Sequence, residues 1–177
     1  GTLTDGSLIV DAGKNAKVFL RLNGVTITSS DDAAIRVNQA DKVFLTLAEG
    51  TENTVTSGET YSEAALADKA DGAIFAHDDL TINGSVTAAY KHGIAANDSL
   101  RITGGKITVT APADTIHVND SLHITGAAIT LSAGDDAIHS GTSVAILGGS
   151  ITVNTCCEGI EAPEILVEDG AVTVTST

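Results

Sequence analysis

An isoleucine recurs through the second half of the chain at a nearly constant interval. Ile74, Ile94, Ile116, Ile138 and Ile160 are separated by 20, 22, 22 and 22 residues. Six residues after the first four stand Leu80, Leu100, Leu122 and Val144, and two further on stand Ile82, Ile102, Ile124 and Ile146. A glycine-bearing turn follows each time, at Gly84, Gly104-Gly105, Gly126 and Gly148-Gly149. A third apolar position comes next, at Val86, Ile107, Ile129 and Ile151. Ile165, Val167 and Val172 fill the same slots in a last, slightly shorter unit. A fixed period of this length is the signature of a stacked repeat.

Within each apolar run the residues alternate with polar ones, as in Ile107-Thr108-Val109-Thr110. A period of two means a strand with one buried face. Strands this short cannot stand alone. Stacking coil on coil, at about 4.8 Å per step, pairs each strand with its equivalents above and below. The expected fold is therefore all-β, a right-handed parallel β-helix with three short strands per coil of about 22 residues. Leucine-rich repeats have a similar length, but their leucine-rich strand and asparagine ladder are missing here.

The first part of the chain follows the same logic less regularly, through Val18, Leu20 and Leu22, then Val25 and Ile27, Ile35 and Val37, and Val43, Leu45 and Leu47. Residues 48–70 break the period and read as a projecting loop, with a short helix at Ala64, Ala65, Leu66 and Ala67. Nothing signals a linker, so 1–177 reads as a single β-helix domain.

The core must be made of Ile, Val, Leu and Ala, because aromatics are 3 % and Met and Trp are absent. Acidic residues number 23 against 9 basic ones, a net charge of −14. Phosphate backbones need Lys and Arg, so nucleic acid is not an expected partner, nor is an anionic membrane surface. No apolar window is long enough for membrane insertion. There is no leader-like segment and no initiator Met, which fits a processed or excised chain. The acidic balance invites divalent cations, or keeps an exported protein soluble. The expected location is extracellular or on the cell surface. Cys156 and Cys157 are adjacent; two thiols are the default for such a pair, and zinc would need two more soft ligands.

Two residues before the repeat isoleucine stand Gly72, His92, Asp114, Asp136 and Glu158, and one after it stand Phe75, Ala95, His117, His139 and Glu161. Stacking puts Asp114, Asp136 and Glu158 in one outward column. Carboxylates about 5 Å apart repel one another unless a cation intervenes. Calcium takes six to eight oxygen ligands, so Asp71, Asp114, Asp135, Asp136, Glu158 and Glu161 are the candidate ligands. The plain alternative is a solvated acidic face. His117 and His139, with Asp114 and Asp136 near, are a pair able to bind zinc or move protons, but no nucleophile accompanies them.

Other features read as structural. His77-Asp78-Asp79, Asn97-Asp98-Ser99 and Asn119-Asp120-Ser121 suit tight turns, whose side chains cap local backbone. Thr108/Thr110, Thr130/Ser132, Thr152/Asn154 and Thr173/Thr175 line a third face. A flat threonine array can order water, but Ser132 and Asn154 interrupt it, and Thr simply suits exposed strands. The GDDAI run at 134–138 has the paired aspartates of pectin-hydrolysing β-helices, yet Cys157, Glu158 and Gly159 replace their next-coil residues. Pectate lyases use an Arg or Lys beside calcium; Lys91 and Arg101 stand in no such arrangement.

The stretches TLAEGTENT at 46–54, DDLTING at 78–84, NDSLRITGG at 97–105 and GDDAI at 134–138 together resemble the pectate-lyase-like, carbohydrate-binding β-helix family of exported bacterial proteins. The resemblance implies a calcium-bearing, non-catalytic β-helix that binds plant cell-wall polysaccharide such as polygalacturonate or cellulose. Against the family pattern this chain keeps an acid at Asp71, Asp114, Asp136 and Glu158, and departs from it at His92, His117 and His139. Few aromatics are available for stacking on sugar; Tyr61, Phe75 and Tyr90 are the expected exposed ones. The alternative function is a self-assembling filament or adhesin solenoid, associating end to end through unpaired strand edges. A polysaccharide lyase is the weaker reading.

Overall fold

The computed structural model describes every residue of the chain except Ser85, Tyr90 and Thr177, and describes residues 86–89 by backbone alone. It is a parallel β-solenoid of about eight turns with three strands per coil. A seven-stranded sheet carries the repeat isoleucines, in the order Leu8–Asp11, Ile35–Gln39, Gly72–Ala76, His92–Ala96, Ile116–Val118, Asp136–Ser140 and Glu158–Glu161. The other two strand columns form one continuous sheet, because Ser143–Thr155 runs without a break from one into the other. All strand pairs are parallel and join equivalent positions, such as Ile94 with Ile116 and Ile138 with Ile160.

The alternation of the sequence becomes columns of buried side chains. Leu80, Leu100, Leu122 and Val144 stack in register, as do Ile82, Ile102, Ile124 and Ile146. All are at most 2 % exposed and belong to one continuous core. The irregular first coils join the same columns: Val18 pairs with Val43, which pairs with Leu80. No helix among the described residues is long and apolar enough to cross a membrane. Cys156 is buried and Cys157 exposed.

Of the segment 48–70, Thr54–Ser57 is a regular rung, paired with Thr26–Ser29 on one side and residues 87–89 on the other. The irregular part is shorter than the broken period suggested, and it does not project. Ser62 caps the short helix Glu63–Ala67 by accepting from the Ala65 amide. The helix lies on the outer face of the seven-stranded sheet, where Tyr61, Ala65 and Ala70 bury Phe75 and Ala95. Tyr61 Oη donates to the Gly72 carbonyl at 2.8 Å. Phe75, at 1 % exposed, and Tyr61 are thus not surface aromatics. Tyr90 lies outside the described residues.

The turn column is a hydrogen-bonded ladder. Asn119 Nδ2 donates to Asn97 Oδ1 at 3.0 Å, and Asn97 Nδ2 contacts His77 Nδ1 at 2.9 Å. On the third face the backbone register places Thr2, Thr26, Thr54, Thr87, Thr108, Thr130, Thr152 and Thr173 in one unbroken column. The neighbouring column is interrupted by Ala89 and Ser132, and a register shift sets Thr155 rather than Asn154 opposite Ser132.

Candidate functional site

Each coil turns a corner just before its repeat isoleucine. In a straight strand, residues two before and one after the isoleucine would lie on opposite faces. The corner brings both to the outside. It does so by turning two successive residues inward, and the first of them, Ala73, Gly93, Thr115 and Ala137 in successive coils, is buried. A Cβ on Gly93 would stand 2.0 Å from Val109 Cγ1. The outward pairs are then Asp114 with His117, Asp136 with His139, and Glu158 with Glu161.

Register stacks these pairs. His117 pairs with His139 and His139 with Glu161, while Asp136 pairs with Glu158. The His117 and His139 rings lie 4.8 Å apart and 5° from parallel, and the His92 ring is 4.5 Å from His117. Phe75 and Ala95 precede His117 in the same column, so its histidines begin where the helix cover ends. Three sets of side chains bring potential ligand atoms within 4.8 Å of one another: His92, Asp114 and His117; Asp114, Asp136 and His139; Asp136, Glu158 and Glu161.

His117 Nδ1 donates to Asp114 Oδ2 at 2.7 Å, and the Asp136 amide donates to Asp114 Oδ1 at 3.2 Å. Burial works to raise the Asp114 carboxyl, but these hydrogen bonds together with the charges of His92 and His117 hold it below the ordinary range. The Asp114 hydrogen bond raises His117. His92 is lowered, first by burial and then by His117. Asp136 is pushed up to about 6, chiefly by burial, with Glu161 and Asp114 adding to the effect. His139 donates to Glu161 at 2.8 Å, which lowers Glu161. Two buried atoms of the ladder, His92 Nδ1 and Asp136 Oδ1, have no hydrogen-bond partner.

Of the candidate ligands, Asp114, Asp136, Glu158 and Glu161 come together. Asp71 stands at the margin, 3.9 Å from His92 Nε2 and from Lys91 Nζ. Asp135 is exposed and belongs to none of the three sets. The donor chemistry changes along the ladder. Asp136, Glu158 and Glu161 offer only carboxylate oxygen, with the unpartnered Asp136 Oδ1 among them, and fit a hard ion such as calcium. Higher up the imidazoles are poor company for calcium.

One surface feature escaped the sequence reading. Phe19 is 73 % exposed and its ring stacks on Phe44, with centroids 4.8 Å apart and planes 7° from parallel. Phe19, Phe44, Thr81, Arg101 and His123 form one outward column on the continuous sheet. Lys42, bound to Asp79 at 2.8 Å, flanks a shallow groove there with Arg101 and His123. The only signal was that Phe19 and Phe44 each occupy the same place in a Lys-Val-Phe-Leu run.

Fold and ladder together define a parallel β-helix that presents stacked His, Asp and Glu side chains on one face and a polar column headed by two stacked phenylalanines on another. A solved structure described as "the polysaccharide lyase-like protein from C. thermocellum, Gadolinium derivative" superposes on the whole chain with a TM-score of 0.83 at 30 % identity, covering 82 % of that protein. A carbohydrate-binding domain-containing protein of Acetivibrio thermocellus is 40 % identical over 116 residues, which are 63 % of this chain. That match spans 41 % of the relative's length. The model of the family described as carbohydrate-binding domain-containing protein matches residues 1–177, and the chain belongs to that family.

Proposed function

We propose that the chain is a non-catalytic module that binds acidic plant cell-wall polysaccharide, such as polygalacturonate, outside the cell or on its surface. The observation that carries this reading is the column Phe19, Phe44, Thr81, Arg101 and His123. Exposed aromatic faces take the apolar face of a sugar ring. Arg101 is exposed and has no carboxylate partner among the described residues, so it is available to a uronate carboxylate. The rungs repeat at strand spacing, as the residues of an extended polysaccharide do.

Calcium is assigned to Asp136, Glu158 and Glu161, where the donors are hard. The solved neighbour carried gadolinium, an ion that takes the same kind of oxygen ligand. A groove lined by His139, Ser140, Gly141, Glu161, Ala162 and Pro163 opens beside this end of the ladder. A uronate bridged through calcium has access there. Catalysis is disfavoured because a lyase needs a strong base beside its cation. Arg101 is on a different sheet, Arg36 is buried between Asp32 and Asp68, and Lys91 sits by Asp71 at the His92 end of the ladder, away from the carboxylates assigned to calcium.

The test compares binding of polygalacturonate and of cellulose to the protein and to Phe19→Ala and Arg101→Gln, with release of unsaturated products followed in parallel. The expected result is polygalacturonate binding weakened by both changes and no product. Binding untouched by both changes rejects the track; product release rejects the non-catalytic reading.

A further inference from the structure

We propose that His92, Asp114 and His117 form a site for a borderline divalent transition-metal ion, with Zn²⁺ the type case, separate from the all-carboxylate end of the ladder. Three observations converge on it.

The first is geometry. Asp114 Oδ2 stands 3.4 Å from His92 Nδ1 and 2.7 Å from His117 Nδ1. Ligands about 2.0–2.1 Å from a tetrahedral zinc lie about 3.3 Å apart, so each imidazole nitrogen stands near ligand spacing from Asp114 Oδ2, and the three residues bring ligand atoms within 4.8 Å of one another. The ion would replace the proton that His117 now shares with Asp114.

The second is an unmet need. His92 is 6 % exposed, and its buried Nδ1 points towards Asp114 without a hydrogen bond. A buried imidazole nitrogen with no partner is rare in folded proteins, and a metal ion supplies one. The supporting contacts are already in place. Asp71 faces the other nitrogen of His92 at 3.9 Å, and the Asp136 amide holds the second oxygen of Asp114. Carboxylates behind ligating histidines, and hydrogen bonds behind ligating carboxylates, are the usual second layer of a metal site.

The third is donor type. Two imidazoles and one carboxylate suit zinc, nickel or copper, whereas calcium and magnesium prefer oxygen alone. His139, although stacked on His117, is turned to Glu161 at 2.8 Å. The set is therefore three protein ligands. His117 is a quarter exposed, which leaves a fourth position open to water or to a carboxylate from outside.

The test titrates chelator-stripped protein with Zn²⁺ in a large excess of Ca²⁺, then repeats it with His117→Gln, His92→Gln and Glu161→Gln. Cobalt(II) serves as a coloured probe of coordination. The expected result is one Zn²⁺ bound despite calcium, weakened at least about tenfold by either histidine change, and unchanged by Glu161→Gln. The cobalt complex should show the intense visible bands of four-coordination. His117 is partly exposed, so His117→Gln remains decisive if His92→Gln does not fold. The proposal is overturned if zinc does not bind, if calcium displaces it, or if His117→Gln binds zinc as tightly as the parent.

Discussion

Asp114 and His117 lie three residues apart on one coil, and the corner between them brings Oδ2 and Nδ1 to 2.7 Å. Asp136 and His139 repeat the arrangement one coil on, at 3.4 Å. Asp114 Oδ1 accepts from the Asp136 amide, whereas the buried Asp136 Oδ1 has no partner, and burial is the main cause that raises the Asp136 carboxyl to about 6.

A raised carboxyl means that the fold favours its protonated form. The stabilising contribution of Asp136 is present below about pH 3.9 and is lost as pH rises through about 6. In the metal-free protein, Asp136→Asn should therefore raise Tm at pH 8, by about 2–4 °C for each kcal/mol relieved. The gap should close towards pH 4. Calcium at pH 8 should raise Tm in the parent and much less in the variant. Thermal melts across pH, with chelator and with calcium, check both statements.

The His117–Asp114 pair has the opposite partner logic. His117 is raised, so its contribution is complete below about pH 6.5 and fades as pH rises through its folded value. Asp114 is lowered, so its contribution is present above about pH 3.9 and fades as pH falls through its folded value. His92 is lowered and adds a loss of stability as pH falls below about 6.5. Replacing His117 by Asn should lower Tm at pH 5 more than at pH 8 in the presence of chelator. An equal loss at both values would show that the pair carries no linkage.

Gly93 sets the corner. The Cβ of Gly93→Ala would meet Val109 Cγ1 at 2.0 Å and the Thr115 carbonyl at 2.9 Å. Overpacking of this kind costs about 1–3 kcal/mol. Trimming Val109 to Ala in the same chain should recover part of that loss, a coupling that a double-mutant cycle in urea would read. Gly13→Ala meets nothing within 4 Å and is the control.

Phe75 anchors the helical segment to the sheet. Phe75→Ala should cost about 3–5 kcal/mol, the usual loss for a fully buried ring. It should also expose residues 58–71 to protease before the coils themselves are cut. Phe19→Ala, at a 73 % exposed ring, should change stability by less than about 0.5 kcal/mol.

The solenoid was legible because five isoleucines at near-constant spacing leave one way to bury every strand. The same spacing assigned Asp114, Asp136, Glu158 and Glu161 to neighbouring rungs. Three things were hidden. The helix at 63–67 was visible, but whether it would project or fold back depends on Tyr61 and Phe75 meeting across 14 residues of chain. The Phe19 and Phe44 stack lies in coils of unequal length, where no period aligns the residues. The zinc-type donor set depends on His92 joining Asp114 and His117, and the repeat placed His92 only as a departure from an acidic column.

Because the rungs of the seven-stranded sheet from Gly72–Ala76 to Glu158–Glu161 pair without a register shift, a coil is an exchangeable unit. Copying one 22-residue turn that carries an Asp-x-x-His pair would lengthen the stack by one step and leave the turns on either side unaltered. The Asp/His ladder and the outward column of Phe19 would then lengthen together by duplication, with no need to redesign a core.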